Sequence, residues 1–436
     1  MSPLSPTDAD AFLPAPGPRR AGQIVSVAEA VSQIADNSRV YFSPMCAVPM
    51  TLLAGLVAGR DRWKRLNLVT DYLMEPVEPF GYPGEPFHLI SLQPTPAVAG
   101  MAAAGVLTTV AASYGQFLGL LSPGCPLAVD VVLAQVSLPG PDGRFSLGVG
   151  AGVTAEMVRR APLVIAEVNS AMPFTFGATE CDRNDFDFLV EVEHPLLELV
   201  VPPGDAVADA IGGHAAAEVP DGATLEFGIG AIPQAVLVAL QTRQDLGLHG
   251  GMISDAVVDL VASGAINGRR KTLDPNLHIA AGVVGTAKCF AWVDRNPDVY
   301  MVGSSYSHGV AVLARQVGFT AINSALEVAL DGSVNAEVAA GRVVSGPGGQ
   351  PDFAIGANLA PDGRSLITLR ATAAGGSVSR IVRSLPQGSP TTLSRYLVDR
   401  VVTEFGVAHL RGRSPQQRAA ALAAVAHPDH RAALLG

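Results

Sequence analysis

The apolar runs at 129–136 and 163–168 lack the polar alternation of a strand with one wet face. A strand of that kind is covered on both sides, as strands of a parallel sheet are. Shorter strand patterns at 39–42 and 66–69 flank a helical pattern over 49–56. Strands alternating with helices imply βαβ units and a parallel sheet. A second round begins after Pro202, Pro203 and Gly204, a linker-like triplet. It has a helix pattern over 205–218, a strand over 224–227 and a helix over 233–240. Further strands are expected at 278–284, 299–301, 320–323 and 365–369, and a last helix over 414–427 behind Ser414 and Pro415. The expected architecture is therefore α/β, divided near residue 203 into an N-terminal domain over 21–203 and a C-terminal domain over 204–436. Residues 1–20 are rich in Pro and Ala and have no long apolar core, which predicts a disordered tail and not a signal peptide.

Composition narrows the functional classes. With 48% hydrophobic and 16% charged residues, a chain of 436 residues can bury a large core. A net charge of −10 argues against non-specific binding to nucleic acid or to an anionic membrane, while leaving room for a local cationic pocket. No apolar run reaches the roughly 18 residues of a membrane span. Cys46, Cys125, Cys181 and Cys289 form no CxxC pair, so neither a zinc site nor a disulfide framework is expected. Free thiols suit a reducing cytoplasm.

Three glycine-bearing segments are candidates for chemistry. At 221–233 a strand pattern runs through Gly228 and Gly230 into a helix. Glycine admits close approach of a ligand to backbone, and a helix N-terminus offers N–H groups to an anion. A plain strand-to-helix turn is the competing reading. At 345–353, Gly346, Gly348 and Gly349 precede Gln350. Such a loop can wrap a pantetheine arm or a diphosphate with amides, or be a surface loop of no function. The third segment, 245–255, contains His249, Gly250, Gly251 and Met252 and reads as a link between two helices.

These segments occur in order with 321–337 (AINSALEVALDGSVNAE), 345–353 (SGPGGQPDF) and 401–414 (VVTEFGVAHLRGRS). Together they resemble the acetyl-CoA hydrolase/transferase family, which includes acetate and 4-hydroxybutyrate CoA-transferases. Segments 129–148 and 165–173 extend the likeness into the first half. The resemblance implies two CoA-transferase-like α/β domains, each a mainly parallel sheet covered by helices. It also implies acyl-CoA as substrate, with a small acid or other acceptor, no tightly bound cofactor, no metal, and a homodimer or higher homo-oligomer. It implies ping-pong chemistry, in which a glutamate carboxylate takes the acyl group as an anhydride and then CoA as a thioester. By the same resemblance Gly228, Gly230, Gly346, Gly348, Gly349 and Gln350 should line the CoA crevice, and His249, Gly251 and Met252 should border the thioester.

One position departs. Where the family usually reads His-Thr-Glu-Met, this chain has His249, Gly250, Gly251 and Met252. Gly251 stands at the place of the nucleophilic glutamate, and glycine cannot form a thioester. Relatives commonly carry glutamine at the position of Glu226, so that residue is a candidate displaced nucleophile or general base. His249 is a candidate base or thioester-polarising donor, Cys289 a thiol nucleophile, and Ser305 with His308 a nucleophile–base pair. The leading expectation is an acyl-CoA-dependent enzyme with altered acyl transfer or thioester hydrolysis. The alternatives are CoA transfer through Glu226, a non-catalytic acyl-CoA binder, and a hetero-oligomer whose partner supplies the missing group.

Overall fold

The computed structural model describes residues 19–77 and 84–435. Residues 1–18 of the expected tail lie outside the described residues. Arg19 and Arg20 are already docked: the Arg19 guanidinium donates to Asp187 at 3.1 Å and to the carbonyls of Val158 and Ala161, and the Arg20 amide reaches Asp187 at 3.2 Å.

The chain forms two compact units. One runs to Leu199 and takes in Ile279–Ser307, and the other comprises Val200–His278 with the chain from His308 onward. The sequence reading divides the chain once, near 203. Residues 279–307 instead pack with the first unit, where their strand Val299–Met301 pairs in parallel with Phe176–Gly177.

In the first unit the largest sheet has the order Gln23–Ile24, Phe188–Val192, Leu163–Asn169, Val131–Val136, Arg39–Phe42, Leu66–Tyr72, Phe87–Gln93, Leu107–Thr109. Every neighbouring pair is parallel. Val131–Val136 is buried at all positions, as its unbroken apolar run predicts. Leu52, Leu53 and Leu56 of the Met50–Ala58 helix enter a common core with Val40, Phe42, Leu66, Leu68 and Leu133. That helix starts at Pro49 with no side-chain cap. Its cap comes from another strand. The Glu167 carboxylate, fully buried, accepts the Leu52 N–H at 2.5 Å and contacts His194 Nε2 at 3.1 Å. Asn169 ties the same segment down through the His194 carbonyl (2.9 Å) and Gln135 (2.6 Å).

In the second unit the strands lie in the order Gly406–His409, Arg400–Thr403, Arg364–Thr368, Phe319–Ser324, Thr224–Phe227, Gly247–Ile253. All are parallel except the final hairpin of Arg400–Thr403 with Gly406–His409. The helices Ala206–Ala217 and Ala231–Ala239 pack closely, because a Cβ on Gly212 would stand only 2.7 Å from the Ala235 backbone. One expectation is corrected. The segment read as a link, 245–255, contains the strand Gly247–Ile253. Its glycines and histidine hide the strand pattern, but Leu248, His249 and Ile253 are fully buried.

The Glu167 cap sets a stability test. Glu167→Ala would leave the buried Leu52 N–H unbonded, a cost of about 1–3 kcal/mol. The thermal midpoint should fall by roughly 2–4 °C for each kcal/mol. An unchanged midpoint in thermal denaturation would show that this carboxylate does not cap the helix.

Candidate functional site

The site is built where strands of the second unit end. Thr224–Phe227 runs through Gly228, Ile229 and Gly230 into the Ala231–Ala239 helix. Gly230 has φ 122° and ψ 178°, a conformation open to glycine alone. A Cβ there would meet nothing within 4 Å, and at Gly228 only Pro233 at 4.0 Å. The loop is therefore open, not packed. It is fixed by the Gly228 amide on the Ile322 carbonyl at 3.3 Å. The helix it leads into has no side-chain cap, so its first N–H groups suit an acceptor from outside the chain.

The second loop is packed. Gly346 and Gly348 are buried, and Gly348 has φ 55°. Gly349 opens the Gln350–Leu359 helix, which also lacks a side-chain cap. A Cβ on Gly349 would come within 2.6 Å of the His308 ring and 2.7 Å of Phe353, so only glycine lets the ring in. Gln350 donates through Nε2 to the Ser324 carbonyl at 3.0 Å, fixing this helix to the end of the neighbouring strand. Its Oε1 is buried with no hydrogen-bond partner among the described residues.

Beside Thr224–Phe227 in the sheet lies Gly247–Ile253. Its Gly250 faces Glu226, whose Cγ would lie 3.4 Å from a Cβ there. Its Gly251 faces His308, with Nε2 3.5 Å and Cε1 3.6 Å from a Cβ position. Those are ordinary van der Waals distances, and Gly251 is not in the left-handed region. Neither crowding nor backbone conformation demands glycine at 251. Met252 follows, half-buried.

Burial sets the charge of both flanking groups. Glu226 is 3% exposed, and desolvation raises its carboxyl to about 8, against the Asn323 hydrogen bond (2.8 Å), which favours the anion. Desolvation lowers His308 to about 3, so its imidazole is neutral at physiological pH. The His308 ring lies 4.4 Å from Phe353 between centroids, Phe353 lies 6.4 Å from Phe319, and Phe319 meets buried His249 edge-on at 6.4 Å.

The structure thus brings Glu226, Gly250, Gly251, His308 and Gly349 into one set of contacts. Ser305 is placed differently. Its hydroxyl, like that of Ser304 at 2.9 Å, is given to the buried Glu156 carboxylate in the first unit. Cys289 is buried in the Ala287–Val293 helix and is not part of a disulfide. Asn323 and Phe353 were missed in the sequence. They stand inside recognisable segments, but nothing in those segments marks one as the carboxyl's partner and the other as the ring's. No group of three His, Cys, Asp or Glu side chains that could hold a metal occurs among the described residues. No helix among them is long and apolar enough to cross a membrane.

Comparison with known proteins gives the context. The acetyl-CoA hydrolase/transferase N-terminal domain matches residues 89–191, and the C-terminal domain of the same name matches 285–436. A 4-hydroxybutyrate coenzyme A transferase of Clostridium kluyveri is 39% identical over 95% of this chain and 96% of its own length. The chain belongs to the acetyl-CoA hydrolase/transferase family. As a member of this family it is an enzyme of the acyl-CoA transferase/hydrolase class. Two solved structures share its fold. RipA from Yersinia pestis has a TM-score of 0.88 at 30% identity, covering 94% of this chain and 96% of its own. A 4-hydroxybutyrate CoA-transferase from Porphyromonas gingivalis has a TM-score of 0.79 at 31% identity, with the same coverage.

The raised Glu226 carboxyl predicts a pH-dependent stability. Its folded value of about 8 lies above the ordinary glutamate value of 4.5. The folded state therefore binds the extra proton between these values, and stability is lost as pH rises through about 8. Glu226→Gln keeps an oxygen for Asn323 and removes the titration. Its thermal midpoint should match the parent's near pH 5 and exceed it by a few degrees near pH 9. A difference independent of pH would refute the buried, raised carboxyl.

Proposed function

We propose that this enzyme handles short acyl-CoA thioesters without a glutamyl-CoA intermediate at position 251, passing the acyl group directly to water or to a small nucleophilic acceptor. The observation that carries this reading is Gly251. A Cβ is accommodated there, yet no carboxylate is present, while the adjoining Gly250 lies against the Glu226 side-chain stem.

In this reading the space beside Gly251 holds the attacking water. The Glu226 carboxylate takes a proton as the water oxygen bonds to the thioester carbonyl carbon. The tetrahedral oxyanion is held by N–H groups at an uncapped helix start. Collapse breaks the C–S bond, CoA leaves as thiolate, and the proton returns to it from Glu226. A carboxyl that titrates near neutrality suits a group that must both take and give a proton. His308, neutral and apolar on one side, bounds the space without adding charge. Hydrolysis of a panel of short acyl-CoAs should therefore rise with pH through about 8, the value of the carboxyl. Glu226→Gln should lower the rate by about 10²-fold or more and flatten that profile. A panel left untouched, with and without acid or amine acceptors, would sink the proposal.

A second reading is supported by the Glu226–Gly250 contact: Glu226 itself is the displaced nucleophile, and the enzyme transfers CoA between acids. The two separate by mass spectrometry. Direct transfer leaves the chain unmodified after incubation with acyl-CoA, whereas displaced transfer leaves CoA on the peptide containing Glu226. Because a Cβ is accommodated at 251, Gly251→Glu is expected to acquire a CoA adduct at residue 251 that the parent lacks. No adduct in a folded variant would show that the surroundings no longer support that chemistry.

A further inference from the structure

The parallel strands of the second unit have two ends, and the glycine loops occupy only one. At the opposite end Gly222, Gly318 and Gly363 lead into the strands Thr224–Phe227, Phe319–Ser324 and Arg364–Thr368. An open cleft of about 820 Å³ lies there. It is larger than a single small ion needs and within the range of small-ligand sites.

Four arginines line it: Arg270, Arg364, Arg400 and Arg411. Two have acidic partners. Arg400 meets Glu218 at 2.7 Å and also Asp399, and Arg411 lies 3.4 Å from Asp399. Neither Arg270 nor Arg364 has a carboxylate within ion-pair distance among the described residues, where Asp399 and Glu218 are already shared. Of the other acids of the cleft, Asp221 accepts the Gln244 amide at 2.9 Å and Asp362 is exposed. Burial and the charge on Arg400 depress Arg364, while Glu218, Asp399 and Asp362 act on it from a distance in the other direction, none of them within ion-pair reach. The position of Arg270 depends on its neighbour. Gly222 has φ 79°, and a Cβ there would stand 2.7 Å from the Arg270 Cζ, so glycine lets the guanidinium lie against the strand entrance.

We propose that this cleft binds a phosphate-bearing small anion, separately from the glycine-loop site. Planar guanidinium forks match phosphate oxygens two at a time, and Arg270 and Arg364 are the two whose forks have no acidic partner.

Titration calorimetry of the full chain with inorganic tripolyphosphate tests this. Binding is expected, and it should persist in saturating CoA, which separates this cleft from the acyl-CoA site. Arg270→Gln, an exposed position, and Arg364→Gln should each weaken binding by about tenfold, with acyl-CoA turnover unchanged. Absence of binding at millimolar concentration, displacement by CoA, or full affinity in both variants would overturn the proposal. Its failure would leave the acyl-CoA reading untouched, because no residue is shared.

Discussion

Two ionisable side chains stand on either side of adjacent glycines, and both have been taken out of water. Dehydration favours the uncharged form of each, so the carboxyl of Glu226 is drawn up and the imidazole of His308 is drawn down. At physiological pH the region is close to electrically silent, although it contains an acid and a base. Negative charge on Glu226 is opposed by burial and favoured by the hydrogen bond from the Asn323 amide. The hydrolysis proposed above needs such surroundings, because negative charge forms on an oxygen and then disappears. The surrounding construction maintains it. Gly349 admits the His308 ring, Gln350 anchors the helix behind it, and Phe353 closes one face.

Much of the scaffold is legible in the sequence because parallel strands advertise themselves. Val131–Val136 and Leu163–Asn169 are short, largely aliphatic and flanked by helical patterns, and covering both faces leaves little polar alternation to confuse them. Gly247–Ile253 escapes the same logic. Three of its seven residues are glycine and one is histidine, so it carries little β-propensity and forms because its neighbours supply the ladder. The return of residues 279–307 to the first unit is equally hidden, since local pattern contains no information about which core a strand will join.

The candidate site was legible in a different way. Resemblance to a family drew attention to position 251, and elementary chemistry says what glycine cannot do there. Whether that glycine was forced by the fold required coordinates: the distance to His308 and the ordinary backbone angle decide it. The nearness of Glu226 to Gly250 likewise depends on how two strands align, beyond the reach of composition or spacing.

The tolerance at Gly251 has a consequence for how such sites change over time. An acid placed there would begin one residue from the glycine that touches Glu226, in surroundings already poor in water. Two anions so close cannot both be carried at modest cost, and one of them would hold its proton. A lineage gaining a carboxyl on one strand is thus pressed to lose it from the other, as in a relay where only one runner holds the baton. This chain, with Glu226 on one strand and glycine at 251 on the next, carries a single carboxyl at that point.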